Sequence, residues 1–260
     1  MSPTPDRYRH GVPCWIDTAQ PDPEAAVRFY GALFGWEFEE RGRDRVARLD
    51  GRDVAAITSQ ADVPPGWTTY MRVGSVVATE ASVVAAGGRI VREPIDVHGY
   101  LFADPSGATF SVREEGGAEL VNAPGTWNWS NLETEYDHGA EAFYGAVFGW
   151  EATVMDESTL MWRLPGYGDH LAELDPGLRA RHAEAGVPAG FSDAVAWLVR
   201  SPGVAAHWSV TFAVDDTDAA ADRAARLGGE ILVPPHDAGP VRVAVLRDPQ
   251  GAKLSLSRYQ

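Results

Sequence analysis

The chain has 260 residues, with 37 acidic residues against 22 lysines and arginines and a formal net charge of −15 at pH 7. That charge, without any run of basic residues, argues against nucleic acid or an anionic membrane surface as a partner. No segment approaches the roughly 20 apolar residues of a membrane helix, and the N-terminal residues lack the apolar core of a secretory signal. A single cysteine, Cys14, excludes an internal disulfide framework. We therefore expect a cytoplasmic protein, monomeric or homodimeric, whose partner is a small molecule.

The first predicted elements are a strand, a helix and three further strands. A short strand at 14–18 leads into a helix that Asp22 can cap and that Gly35 ends. Apolar residues at helical spacing between these two positions form a stripe that can pack on a sheet. The three strands that follow are predicted at 36–41, 46–50 and 54–58.

The second group of elements repeats this order. A strand at 69–73 precedes a helix at 79–86, which the glycine pair Gly87–Gly88 ends. Strands are then predicted at 89–94, 100–103 and 109–113. Each group therefore has the order βαβββ.

The second half of the chain repeats the first. The nine residues 29–37, FYGALFGWE, recur at 143–151 with eight identities. The segment DPSGA at 104–108 recurs as DPQGA at 248–252. Such agreement identifies an internal duplication, and it predicts an α+β fold in which the βαβββ unit occurs four times.

The turn-rich residues 116–125 mark the boundary between the halves. We predict a first domain at 1–118 and a second at 119–260. The offset between matching residues grows by about 27 residues between Glu151 and Trp208. This growth predicts an insertion near 175–206, which could serve as a lid or an interface.

These motifs resemble those of the vicinal oxygen chelate superfamily. The shared features are a helix ending in FYxxxFGW, a glycine pair after the second helix, and a final DPxG strand. The superfamily includes glyoxalase I, extradiol dioxygenases, fosfomycin-resistance enzymes and bleomycin-binding proteins. The pair Cys14-Trp15 and the segment 47–55 are closer to its tandem glyoxalase-like proteins, often described as hydroxylases. The resemblance implies two glyoxalase-like barrels in tandem, each made of two βαβββ units around a cavity.

The resemblance also implies a divalent metal held by a first-strand His and a last-strand Glu. The corresponding positions in this chain hold Trp15, Trp129, Ser111 and Ser255. None of these is a metal ligand of the expected type, so we predict no metal and no other cofactor. One route to a divalent metal stays open, through a displaced set in the second barrel: His170, Glu173 and His207.

Tryptophans at these positions favour stacking against a planar ligand. We predict that the protein binds a hydrophobic or aromatic, polyketide-like small molecule. The predicted ligand-binding residues are Trp15, Phe102, Ser111, Trp129, Asn131, His207, Ser209, Arg242 and Ser255. The alternative is that the tryptophan rings fill the barrels and leave no cavity.

Acid–base residues in the first half leave an enzymatic alternative open. Asp17 shares a strand face with Trp15, and His98, Tyr100 and Phe102 alternate along another strand. Asp17, His98 and Tyr100 are therefore candidate catalytic residues for proton transfer in a lyase, isomerase or hydroxylase-type reaction. A further alternative is a self-resistance protein of secondary metabolism that sequesters its ligand without chemistry.

Overall fold

A computed structural model describes residues 7–59, 64–92, 100–135 and 139–260. Within these ranges the order βαβββ occurs four times, so the predicted α+β fold is confirmed. Among the described residues, no helix is long and apolar enough to cross a membrane. The first module contains β1 (Pro13–Gln20), α1 (Pro23–Phe34), β2 (Glu37–Arg41), β3 (Asp44–Leu49) and β4 (Arg52–Ser59). The second contains β5 (Gly66–Arg72), α2 (Val76–Ala85), β6 (Arg89–Arg92), β7 (Leu101–Ala103) and β8 (Thr109–Arg113).

The third module carries extra helices between two of its strands. It contains β9 (Trp127–Thr134), α3 (Ala140–Phe148), β10 (Glu151–Val154), β11 (Thr159–Arg163), α4 (Tyr167–Leu174), α5 (Leu178–Glu184), a 3-10 turn at Phe191–Asp193, and β12 (Ala194–Arg200). The fourth contains β13 (His207–Ala213), α6 (Thr217–Arg226), β14 (Glu230–Ala238), β15 (Val241–Arg247) and β16 (Lys253–Tyr259).

Helix α1 begins and ends where its sequence predicts. The Asp22 side chain accepts a hydrogen bond from the Ala25 backbone N–H at 3.0 Å, which satisfies a donor that the first helical turn leaves unpaired. Gly35 ends the helix in the left-handed conformation, with a φ of 76° that a residue without Cβ adopts at no steric cost.

The strands form two mixed sheets of eight. The strand order is β2-β3-β4-β1-β5-β8-β7-β6 in the first sheet and β10-β11-β12-β9-β13-β16-β15-β14 in the second. In each module the first strand is parallel to the last, as in the pairings of Asp17 with Ala56 and of Asn131 with Trp197. Each sheet order ends in edge strands, so the predicted barrels are open sheets and not closed cylinders.

The extra elements of the third module lie between β11 and β12, at residues 164–193. The predicted insertion at 175–206 overlaps this segment but also includes β12. The reason is that the apolar run at 194–199 is a buried strand paired with β9 and equivalent to β4. Each sheet lies within one of the predicted halves, 1–118 and 119–260, and that division stays a prediction.

The chain also separates into two compact units, which combine modules from both halves. Unit A contains residues 15–69, 117–130 and 208–260, which are mostly the first and fourth modules. Unit B contains the described parts of 1–14, 70–116 and 131–207, which are mostly the second and third modules.

Each unit has an aromatic core built from the repeated motif. In unit A, Tyr30 stacks on Trp36 with ring centroids 5.7 Å apart, and Phe34 lies 4.8 Å from Phe212. In unit B, Tyr144 stacks on Trp150 at 5.2 Å. Burial of large aromatic side chains is a major favourable term in folding, so most aromatic residues of FYxxxFGW serve the core and not the ligand.

Candidate functional site

The side chains of β1 divide between two faces of the strand. Ile16 is fully buried in the core that includes α1. Because successive side chains of a strand point to opposite faces, Trp15 and Asp17 lie on the other face, each 8% exposed. We call the side of the sheet that faces away from α1 and carries Trp15 and Asp17 the open face of β1, although both of these side chains are buried. The predicted pairing of Trp15 with Asp17 on one face therefore agrees with the structure of the strand.

Strand β9 repeats this arrangement. Leu132 is fully buried, whereas Trp129, Asn131 and Glu133 are half-buried on the opposite face, which we call the open face of β9. Trp129 stands at the position equivalent to Trp15, and Asn131 at the position equivalent to Asp17. The two open faces thus share a tryptophan but differ in charge, because an amide replaces the carboxylate.

The predicted residues of the second module separate from one another. Phe102 is fully buried and packs 5.8 Å from Phe110, which contacts Phe148 in the core of unit B. Ser111 follows Phe110 and so faces the opposite side of the sheet, where its hydroxyl donates to the Tyr100 carbonyl at 2.6 Å. The catalytic candidate His98 lies outside the described residues.

Two of the remaining candidates lie against carboxylate groups. The His207 Nε2 lies 3.6 Å from a Glu133 carboxylate oxygen, within unit B. Arg242 bridges Asp218 on α6 and Asp237 on β14, and this guanidinium holds the pKa of both carboxyl groups below the usual value. Arg242 is therefore engaged at the surface of unit A.

Ser209 and Ser255 are buried in the sheet of the fourth module, where they are 4% and 7% exposed. They lie on β13 and β16, which pair in parallel with Thr211 opposite Ser255. Both serines are therefore buried. Among the described residues, neither serine forms a hydrogen bond with His207 or Arg242.

The donor set does not fit the metal that the resemblance implies. His170 and Glu173 lie on α4, whereas His207 begins β13. Among the described residues, no three His, Cys, Asp or Glu side chains are grouped so that they could hold a metal ion. The implied ligand positions carry indole and hydroxyl groups, which are not the imidazole and carboxylate donors expected there. We therefore derive no step through a metal.

The repeated Tyr and Asp residues form a buried pair in each unit. The Tyr30 hydroxyl donates to Asp248 at 2.8 Å in unit A, and the Tyr144 hydroxyl donates to Asp104 at 2.9 Å in unit B. Burial and the adjacent Asp248 carboxylate raise the pKa of the Tyr30 phenol well above its usual value. The phenol therefore stays protonated and ties the helix of one module to the DPxG turn of another.

The residues missed by the sequence analysis come from the extra segment of the third module. Phe191 lies 6.3 Å from Trp197, which is in register with Asn131 on the open face of β9. His182 is 5.4 Å from Phe191. The two aromatic residues in the apolar run 191–199 could have indicated an aromatic surface. No pattern in the sequence around His182 indicates where its side chain lies.

Two βαβββ modules per sheet, repeated in tandem, define the glyoxalase-like class of fold, and comparison with known proteins agrees. Residues 15–113 match the family model of the glyoxalase-like domain, and residues 138–256 match that of the glyoxalase/bleomycin resistance protein/dioxygenase superfamily.

Relatives along nearly the whole chain give the same result. A Mycobacterium tuberculosis protein named "Putative glyoxylase CFP32" is 36% identical over 273 residues, covering 98% of this chain and 97% of the relative. The anthracycline biosynthesis protein DnrV of Streptomyces peucetius is 32% identical over 290 residues, covering 96% of this chain and 94% of the relative. The chain therefore belongs to the glyoxalase/bleomycin resistance protein/dioxygenase superfamily.

Solved structures share the fold at low sequence identity. The Mn(II)-bound glyoxalase from Novosphingobium aromaticivorans has a TM-score of 0.63 and 19% identity, covering 96% of this chain and 82% of that one. The 2,3-dioxygenase LapB from Pseudomonas sp. KL28 has a TM-score of 0.62 and 13% identity, covering 97% and 93%. At such identities these neighbours establish the architecture and leave the chemistry to the site.

Proposed function

We propose that this glyoxalase-like protein binds a planar, hydrophobic or aromatic small molecule of polyketide type, and that it does so without a metal. The observation that carries the proposal is the pair of tryptophans, Trp15 on β1 and Trp129 on β9, at the positions where the family resemblance implies metal ligands. An indole offers a flat apolar surface and a single N–H donor, which suits stacking against an aromatic ring.

The relatives support this choice of ligand. DnrV, named as an anthracycline biosynthesis protein, is similar to 96% of this chain. Anthracyclines contain planar fused aromatic rings, which match the flat shape of an indole ring. Trp129 is half-buried and so retains accessible ring surface for such a contact.

The binding test uses calorimetric titration of the full chain with 1,8-dihydroxyanthraquinone. We expect Trp15→Phe and Trp129→Phe each to weaken binding by about three- to tenfold, because a smaller ring without an N–H replaces the indole. Trp208→Phe is the matched control, since Trp208 is a buried tryptophan on another strand of unit A. Equal effects of all three substitutions would contradict the proposed role of the open faces.

Metal independence is tested separately. We expect untagged protein to contain no stoichiometric metal by elemental analysis, and we expect binding to be unchanged after treatment with a chelator. Binding that appears only when Mn, Fe, Ni or Zn is added would overturn this part of the proposal.

Acid–base catalysis on the same ligand is the second candidate, and the location of Asp17 favours it. This carboxylate is 8% exposed on the open face of β1 beside Trp15. If the protein turns over its ligand as a lyase or isomerase, Asp17→Asn should lower the rate by roughly 10²- to 10⁴-fold while binding is retained. Binding without any turnover by the unmodified protein would support ligand sequestration instead.

A further inference from the structure

The two ends of the extra segment of the third module, residues 164–193, are joined to each other directly before β12. The Leu164 N–H donates to the Asp193 carbonyl at 2.9 Å, and the Gly168 N–H donates to the Asp193 carboxylate at 2.7 Å. A Cβ atom at Gly168 would lie 2.6 Å from the Ser192 Cβ, so only glycine permits this approach. The segment is therefore held in place where it joins β12, within unit B.

This attachment brings aromatic rings to the open side of β12. Trp197 is in register with Asn131 on β9 and with Met161 on β11, so all three side chains lie on one face of the sheet. The Phe191 ring is 6.3 Å from Trp197 at an angle of 42°. Both rings are half-buried and so retain accessible surface.

A histidine and a serine from the segment lie beside the Phe191 ring. The His182 ring meets Phe191 edge-on at 5.4 Å, and its Nδ1 is 2.9 Å from the Ser192 hydroxyl. Burial and the positive charges of Arg181 and Arg179 lower the pKa of His182, so its imidazole is neutral at pH 7.

The second ring nitrogen of this histidine is available to a ligand. Within the described residues, His182 Nε2 has no hydrogen-bond partner. A neutral imidazole has one donor and one acceptor nitrogen. If the Ser192 hydroxyl donates to Nδ1, then Nε2 carries the proton and can donate to a phenol oxygen. If Nδ1 donates to Ser192, then Nε2 can accept a hydrogen bond from a phenol.

We propose that Phe191, Trp197 and His182 form a binding subsite for a planar hydroxyaryl ligand, in which the ring stacks on the aromatic side chains and a ring oxygen bonds to His182 Nε2. This inference rests on the proposed function for the aromatic character of the ligand. It adds a location in unit B and a preference for oxygen substituents.

The test compares two probes on the full chain: 1,8-dihydroxyanthraquinone and anthraquinone-2-sulfonate, which lacks the hydroxyls. We expect His182→Gln to weaken binding of the dihydroxy probe about tenfold and to change binding of the sulfonate less than twofold. Trp197→Leu should weaken binding of both probes. The matched control is His236→Gln, since the Nδ1 of His236 is also bonded locally, to the Pro234 carbonyl at 3.0 Å.

Two further measurements keep the test informative if a substitution impairs folding. Ser192→Ala leaves the imidazole in place and removes only its Nδ1 partner, and we expect an intermediate loss of affinity for the dihydroxy probe. Carbon–proton NMR of the seven histidines should show the largest shift at His182 when this probe is added to the unmodified protein.

The outcomes separate the two proposals. Tight binding that is sensitive to Trp15 or Trp129 but unaffected by His182→Gln and Trp197→Leu would overturn the subsite and leave the proposed function intact. A failure of the unmodified protein to bind either probe would overturn both.

Discussion

Units A and B each have an aromatic core built from the same motif, but they differ at one connection between strands. In unit A, β3 and β4 are joined by the tight turn Asp50–Gly51, with φ angles of 51° and 73°. In unit B, the equivalent connection from β11 to β12 is the segment 164–193 with its two helices. The difference shows that the repeat preserves the residues that pack the modules, whereas the connection between two strands can gain new side chains without disturbing that packing.

The buried Tyr–Asp pairs are a second feature that both units have but that differs between them. In unit A, Asp248 Oδ2 accepts from both Tyr30 and the Gln20 amide. In unit B, Asp104 Oδ2 accepts from Tyr144, and within the described residues it has no second donor. The position equivalent to Gln20 holds Thr134. The two pairs are thus alike in geometry but unequal in the number of donors that each carboxylate oxygen receives.

The largest expected effect comes from removing either buried carboxylate. Asp104→Ala and Asp248→Ala should each lower the free energy of unfolding by about 3 kcal/mol, because the tyrosine hydroxyl and turn N–H groups lose their acceptor while buried. Urea denaturation measures the change, with the exposed Asp237→Ala as control. A loss below about 1 kcal/mol in either variant would mean that the DPxG aspartates are not needed to hold the modules together.

Removal of the tyrosine hydroxyl should lower stability more in unit B than in unit A. Tyr144→Phe leaves Asp104 Oδ2 without its described donor and should cost about 2 kcal/mol, whereas Tyr30→Phe leaves the Gln20 amide on Asp248 and should cost about 1 kcal/mol. Urea denaturation of both variants measures the difference. Equal losses would show that the Gln20 amide does not compensate for the lost Tyr30 hydroxyl.

A smaller effect is expected at Gly168, where the extra segment approaches its own 3-10 turn. Gly168→Ala should move Ser192 away from His182, because the added methyl group would lie 2.6 Å from the Ser192 Cβ and 2.9 Å from its carbonyl carbon. We expect a loss of about 1 kcal/mol in stability and weaker binding of the dihydroxyanthraquinone. Gly74→Ala is the control, since a Cβ there meets no atom within 4 Å. Unchanged binding would separate the segment's packing from ligand recognition.

The smallest effect is a difference in alkaline pH dependence. The unfolded chain releases a tyrosine proton near pH 10, but folded Tyr30 keeps its proton to higher pH because its pKa is raised by burial and by Asp248. The unfolded state therefore binds fewer protons above about pH 10, and stability falls as the pH rises, by at most about 1.4 kcal/mol per pH unit from this group. Tyr30→Phe should reduce that fall, whereas the exposed Tyr259→Phe should not. Equal slopes for both variants would contradict the raised pKa.

Much of the fold is readable along the chain. The helix caps, the turn glycines and the repeated FYxxxFGW and DPxG motifs predict four βαβββ modules, and these are confirmed, because each signal acts within a few residues. The limits of the insertion were harder to predict. The apolar residues after Phe191 are compatible with either a strand or an added segment, and the parallel pairing of Trp197 with Asn131 identifies them as a strand.

The candidate site was less predictable, because local signals along the chain do not determine which side chains meet there. Sequence alternation correctly grouped Trp15 with Asp17 on one face of a strand, since that relation is local. It also proposed Phe102 as a ligand contact, but the side chain packs on Phe110 in the core. The alternation identifies which residues share a face and not which face is covered by helices.

The sequence by itself therefore determined the module, its repetition and the substitution of tryptophan for the metal ligands that its family resemblance implies. Only the tertiary structure decided which modules share a core and which side chains meet at the extra segment. Tyr30 and Asp248 are 218 residues apart in the chain. The contact between His182 and Phe191 lies in the extra segment, which has no counterpart in the first half of the chain from which it could be predicted. Such contacts depend on the packing of distant segments, which no local pattern of residues encodes.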